Sequence, residues 1–297
     1  MKVAIFGKQV KVEFKAEISL LFDALKKHNI EYIIFEPFKI ELQKIGIEHQ
    51  QDSLSFKTTD SDLLNEVSFF LSIGGDGTFL DSMLYTKEKN IPILGINTGR
   101  LGFLSNTPTS KIYTAIENIV AKNYSIETRS LLELNSPRNL FNLENVALNE
   151  ISIMKRDSSS MITIQASLDN KHLNTYWADG LIISTSTGST AYSLSCGGPI
   201  LMPGGGNFVV TPIAPHNLNV RPIVISDNSI LKIQVESRGE KNLVALDSRS
   251  LELKDGEILT IKKAKQTVSL VQFEHQSFLN NLRYKLNWGL DKRNSNV

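Results

Sequence analysis

The chain has 297 residues, 41% hydrophobic and 21% charged, enough for about two domains with full cores. Its 32 Lys and Arg against 31 Asp and Glu leave no basic face for duplex DNA, so any nucleotide must be held by a local site. A single cysteine, Cys196, allows no internal disulfide and points to a reducing compartment, the cytoplasm. No apolar run approaches the ~20 residues of a membrane span.

Val3–Phe6 is too short for a signal peptide and reads as a first strand. Ala16–Lys27 places Ile18, Leu21, Phe22 and Leu25 on one side of an amphipathic helix, and Tyr32–Phe35 is a second strand. Residues 37–66 are polar and irregular, with room for short helices. Phe69–Ile73 and Ile91–Ile96 read as buried parallel strands, the region from Thr78 to Lys89 as a helix, and Lys111–Ala121 as another. This alternation predicts an α/β domain over residues 1–125, with a parallel, Rossmann-like sheet.

The strand Phe69–Ile73 stops at Gly74-Gly75-Asp76-Gly77-Thr78. Glycines at a strand-to-helix corner leave backbone N–H groups bare, and a helix N-terminus behind them makes a phosphate cradle. Asp76 would repel phosphate there unless it binds a metal or accepts a proton from an attacking hydroxyl. That favours phosphoryl transfer over a tight turn with a capping Asp. No Walker loop occurs in the chain. A second glycine-punctuated loop, Asn97–Leu104, follows the next strand, and the two loops could face each other across one crevice.

From about residue 126 short β-branched runs recur, among them Leu131–Leu134, Glu150–Met154, Ile162–Leu168, Leu181–Ser184, Phe208–Ile213, Leu231–Val235, Leu243–Leu246, Ile258–Ile261 and Val268–Phe273. They predict an all-β, sandwich-like domain over 126–275. Phe278–Leu290 then reads as a helix within a tail, 276–297, that packs back on the first domain. Asn149-Glu150 could grip two ribose hydroxyls, or one hydroxyl and an adenine edge; alone, such a pair is more often just solvated. Residues Ser184–Thr190 hold six hydroxyls around Gly188 and lead into a helix expected over Ser189–Ser195, a pattern suited to a sugar or pyrophosphate. Tyr192 offers a flat face for a purine, and Asp179 a carboxylate at the mouth of the same loop. Cys196 reads as a packing residue, and His216 as a structural one.

In order, Gly74–Thr78, Asn149-Glu150, and Asp179-Gly180 leading into Thr187-Gly188-Ser189-Thr190-Ala191-Tyr192 resemble the signature elements of the NAD kinases. Gly-Gly-Asp-Gly alone also occurs in lipid and sphingoid kinases and in phosphofructokinases, but the Thr-Gly-Ser-Thr-Ala-Tyr block does not. The resemblance implies transfer of the γ-phosphoryl of ATP to the 2′-hydroxyl of the adenosine ribose of NAD, with Asp76 as general base. It implies that Gly74, Gly75, Gly77 and Thr78 meet phosphates and that Asn149 and Glu150 hold the adenosine half. Asp179 would sit by the nicotinamide end, with Thr190, Ala191, Tyr192 and Ser195 lining the adenine and ribose pocket and Thr187 contributing from the hydroxyl loop. Ala214 and Asp247 would meet the dinucleotide from a neighbouring subunit, in a homo-oligomer that is a dimer or tetramer. Mg²⁺ or another divalent cation would arrive with ATP. Trp177 stands where many relatives carry a basic residue, a position bearing on NAD against NADH. The rival expectations are a lipid or sphingoid kinase and a non-catalytic dinucleotide-binding regulator.

Overall fold

A computed structural model describes residues 1–49, 54–156, 161–237, 242–274 and 276–287. They form two compact units, one of residues 1–128 with 268–297 and one of residues 129–267.

The first unit is built on a parallel sheet with the strand order Ser55–Phe56, Glu31–Phe35, Lys2–Gly7, Phe69–Ile73, Ile93–Asn97. The far edge is extended by Thr107–Pro108, and Leu270 pairs in parallel with Ile93. The apolar runs form central strands because both faces are covered: every residue of Phe69–Ile73 and of Ile93–Asn97 is buried. Helices Lys15–Lys27 and Ile112–Val120 supply Ile18, Leu21, Leu25, Ile112, Ile116 and Ile119 to the core under the sheet. Chain order runs outward from Lys2–Gly7 in one direction and then, from Phe69–Ile73, in the other. That reversal is the switch point where open α/β sheets bind ligands, and the Gly74–Thr78 corner lies at its carboxyl end.

The helix after that corner spans Asp76–Thr86, so it begins two residues before the expected start and takes Asp76 into its first turn. The excursion at 37–66 contains a helix, Glu36–Lys44, and a 3₁₀ turn, Asp62–Glu66. The C-terminal helix, Phe278–Leu286, is capped by Ser277, whose hydroxyl accepts the Asn280 N–H. The expected stretch 288–290 lies outside the described residues.

The second unit is a pair of antiparallel layers. One runs in the order Ile223–Ser226, Asn207–Ile213, Gly180–Thr185, Glu150–Lys155, Asn242–Leu246, Arg249–Leu253. The other places Ile162–Leu168 between Lys171–Ala178 and Leu231–Glu236, which in turn pairs with the start of Ile258–Gln272. Alternate residues from both layers, Ile151, Ile153, Leu181 and Ile183 with Ile164, Ile233 and Leu259, share one core.

Three strand expectations need correction. Ile258–Ile261 and Val268–Phe273 belong to one strand, Ile258–Gln272; its lysine-rich middle hid the alternation that buries Ala264. Lys171–Ala178 was missed because it is a polar edge strand, yet Asp169 and Asn170, both at positive φ, make a two-residue hairpin loop before it. Arg249–Leu253 was missed likewise, behind a two-residue loop in which Asp247 has φ 52°. The helix expected over Ser189–Ser195 is instead a 3₁₀ turn, Gly188–Thr190, and a short helix, Tyr192–Ser195, broken at Ala191.

Candidate active site

In the first unit Gly74 adopts φ 151°, and a Cβ there would lie 2.3 Å from the Thr78 hydroxyl, so only glycine fits the corner. Its N–H donates to the Ile96 carbonyl at 2.9 Å, tying the corner to the neighbouring strand. The helix then starts at Asp76 with no side-chain cap. The Thr78 and Phe79 N–H groups both reach the Gly75 carbonyl, at 3.0 and 3.1 Å, and the amides ahead of them precede any intrahelical acceptor. Positions Gly75 and Gly77 open onto space.

The loop after Ile93–Asn97 closes onto Asp76. The Phe103 N–H donates to its Oδ2 at 2.8 Å, and the Leu104 and Ser105 N–H groups to its Oδ1 at 3.1 and 2.9 Å. Bonds to a charged acceptor contribute about 1.5–3 kcal/mol each, so three of them fix this carboxylate against rotation. Asn97 shapes the donor loop: its Oδ1 accepts the Gly99 N–H at 2.7 Å and its amide donates to the Ser105 carbonyl at 3.1 Å. Gly102 is where the loop comes closest, since a Cβ there would fall 1.6 Å from Asp76 Oδ1. The two glycine loops thus meet as the sequence suggested, and what joins them is a set of amides that no side-chain pattern announces.

In the second unit the chemistry gathers around Asn149 and Glu150, at the start of the strand Glu150–Lys155. Asp247 reaches them from its hairpin loop, and its carboxylate accepts the N–H groups of Leu148, Asn149 and Glu150 at 2.9, 2.8 and 3.2 Å. Asp247, expected to meet the dinucleotide from a neighbouring subunit, has its carboxylate bound within its own chain. Burial pushes its pKa up, against those three donors and nearby Arg249. Burial first, and the Asp247 carboxylate second, push Glu150 up to about 8, against an N–H donated by Tyr192. The Glu150 Oε2 is buried with no hydrogen-bond partner among the described residues.

The hydroxyl loop wraps the same turn. Thr185 Oγ1 donates to the Leu148 carbonyl at 2.6 Å and accepts the Gly188 N–H at 3.1 Å. Gly188 must be glycine, because a Cβ there would lie 2.2 Å from the Asn149 carbonyl oxygen. Thr187 accepts from Arg129, Thr190 donates to the Thr187 carbonyl, and Ser189 bonds both Ser186 and Leu201. These hydroxyls were expected to serve a ligand, and the structure uses most of them to fold the loop. Tyr192 stays 40% exposed at its edge. Asp179 and Ala214 flank one end of a sheet, where Gly180 pairs with Ile213 and the Asp179 N–H donates to the Ile213 carbonyl at 3.0 Å. Trp177 lies near the end of Lys171–Ala178 in the other layer and accepts the His216 N–H on its carbonyl at 2.8 Å. Asp179 forms an ion pair with Lys155 at 2.7 Å, a partner that sequence reasoning missed. Ala214 takes φ 43°, and Trp177 is 44% exposed.

The chain matches the family model of the ATP-NAD kinase N-terminal domain over residues 3–124 and that of the C-terminal domain over residues 148–273. It is 45% identical to an NAD kinase from Flavobacterium psychrophilum, over 99% of this chain and all of that protein. It is 43% identical to one from Bacteroides fragilis at the same coverage. The chain belongs to the NAD kinase family. Two solved structures agree in fold: a yeast NADH kinase complexed with NADH (TM-score 0.84, 20% identity, 98% of this chain and 89% of that one) and an NAD kinase from Archaeoglobus fulgidus in complex with ATP (TM-score 0.73, 27% identity, 97% and 99%). Membership covers both units, so the Asp76 corner and the Glu150 cluster are parts of one NAD kinase chain. No helix among the described residues is long and apolar enough to cross a membrane.

Proposed function

We propose that this chain transfers the γ-phosphoryl of ATP to the 2′-hydroxyl of the adenosine ribose of NAD, giving NADP and ADP. The observation that carries the reading is Asp76: a carboxylate locked by three amides at the mouth of a glycine corner, in a chain that matches the NAD kinases along its whole length. Asp76 accepts the proton as the 2′-oxygen forms its bond to the γ-phosphorus and the bond to the ADP oxygen breaks. The backbone amides of Gly75 and Gly77, with Gly74 and Thr78 shaping the corner, meet the phosphate oxygens.

A divalent cation fits this corner as the counter-ion of ATP. A carboxylate offers about four acceptor positions and Asp76 uses three on amides, while no cluster of three metal-ligating side chains occurs among the described residues. When bound it would neutralise charge on the phosphates.

In the second unit Asn149 and Glu150 hold the adenosine half, with Asp247 positioning their backbone. Tyr192, beside Thr190, Ala191 and Ser195, supplies the stacking face, and the unpartnered Glu150 Oε2 awaits a ligand hydroxyl or amine. Thr187 keeps the hydroxyl loop in shape. Asp179, Trp177 and Ala214 meet the nicotinamide end, and Trp177 sets the preference between NAD and NADH. The chain works as a cytoplasmic homo-oligomer. The test is NADP formation from NAD, MgATP and purified protein, run beside NADH as acceptor. Absence of both phosphorylated products would overturn the reading.

A further inference from the structure

The reaction as described leaves the helix Phe278–Leu286 idle, and contacts from it and from Gln276 just before it lead to the loop that clamps Asp76 and the Thr107 strand beyond it. Just before it, Gln276 donates from its side-chain amide to the Asn106 carbonyl at 3.3 Å and the Thr107 hydroxyl at 2.9 Å. Phe278 meets Phe103 with ring centroids 6.2 Å apart, and Leu282 is buried. Two turns further on, the Lys285 ammonium lies over the Phe103 ring, 4.7 Å from its centroid. Phe103 is the residue whose N–H holds Asp76 Oδ2. One residue therefore carries an amide on the candidate base and, on its ring, a lysine.

The ammonium is half-buried, and no carboxylate lies within 4 Å of it among the described residues. Seating a lysine on an aromatic face rather than in an ion pair leaves its N–H donors available. Burial lowers the Lys285 pKa, and the Asp76 carboxylate counters by favouring the charged form. A carboxylate beside a polyphosphate raises the local negative charge, and a lysine point charge is a standard answer to it. A structural reading, in which Lys285 only fastens the helix, explains the contact with Phe103. It does not explain an ammonium seated without an ion-pair partner, among the described residues, on the very residue whose amide holds Asp76.

We propose that Lys285 is a substrate-contacting residue of this site, its ammonium meeting the polyphosphate of the donor nucleotide beside Asp76. The inference rests on the kinase reading above and adds to it a cation delivered by the C-terminal helix.

The experiment compares wild type, Lys285→Met and Lys285→Arg by calorimetric titration with MgATP and with inorganic tripolyphosphate, by steady-state kinetics, and by thermal melting. Lys285→Met is expected to weaken binding of both ligands by tenfold or more and to raise KM for ATP in step, while KM for NAD stays within about twofold. Lys285→Arg should restore most of the binding, since it keeps the charge. Wild-type affinity for both ligands in Lys285→Met overturns the proposal. So does a loss that tracks a fall in Tm and is not rescued by Arg, which is what a helix-fastening role predicts. If wild type forms no NADP, the kinase reading fails, and tripolyphosphate binding still decides whether Lys285 holds a phosphate chain.

Discussion

Each unit contains an aspartate whose carboxylate accepts three successive backbone amides: Asp76 from Phe103, Leu104 and Ser105, Asp247 from Leu148, Asn149 and Glu150. The device is the same and the surroundings differ. Asp76 stands in the first turn of a helix between glycines that open onto space, and it is only partly buried. Asp247 sits in a hairpin loop with its carboxylate enclosed, its pKa raised by burial, and a second carboxyl, Glu150, beside it. Amide clamping alone therefore does not mark a reactive group. Access and neighbouring charge decide whether the clamped carboxylate does chemistry or holds a turn together.

The sharpest way to break the comparison is to neutralise both. Asp76→Asn should cut kcat by about 10²–10⁴-fold with NAD affinity largely retained, since one amide oxygen can still take the Leu104 and Ser105 N–H groups. Normal turnover would sink the base assignment. Gly102→Ala, which drives a methyl into Asp76 Oδ1, should cost roughly 10–10²-fold in kcat by moving the same carboxylate. If rates are unaffected, the position of Asp76 does not matter to the reaction.

Asp247→Ala should do the reverse and leave kcat within a few-fold while removing on the order of 2 kcal/mol of stability, because three buried amides lose their acceptor. A denaturant midpoint equal to wild type would show that the clamp is dispensable. Glu150→Gln sharpens the comparison through pH. The folded pKa of Glu150, about 8, lies above its ordinary 4.5, so the folded protein binds more protons than the unfolded chain between those values. Stability from this group is complete below about pH 4.5 and declines as pH rises through 8. The Gln variant should match wild type at low pH and exceed it by roughly 1–3 kcal/mol above pH 8. Parallel melting curves across that range would refute the buried, proton-holding carboxyl. Tyr192→Ala has the mildest expected effect, a rise in KM for NAD of about tenfold, and an unchanged KM would remove the stacking role.

Much of this was legible where the signal is local. The Gly74–Thr78 corner, the strand before it and the helix after it follow from a few consecutive residues whose conformational needs are plain. The amides that clamp Asp76 lie 27 to 29 residues away and belong to no side-chain pattern, so nothing in the sequence points at them. The Asp247 clamp spans nearly a hundred residues and has the same defect. The hydroxyls of Ser184–Thr190 show a different failure. Their density was read correctly as needing an explanation, but Ser and Thr bond backbone as readily as ligand, and composition does not say which. Lys155 gave no signal, being one lysine at the end of the strand Glu150–Lys155. Asp169-Asn170 did give one, since two consecutive residues able to take positive φ mark a hairpin, and it would have recovered the strand Lys171–Ala178.

The chain leaves the first unit after residue 128 and returns to it at residue 268. During synthesis the α/β sheet must therefore wait, with the Ile93 edge unpaired, while some 140 residues of β-structure emerge and fold. The returning segment carries Leu270, Gln276, Phe278 and Lys285 together, and it adds to the sheet edge and covers Phe103 in one step. A nascent chain that has not yet reached residue 268 therefore lacks the segment that packs on the loop clamping Asp76.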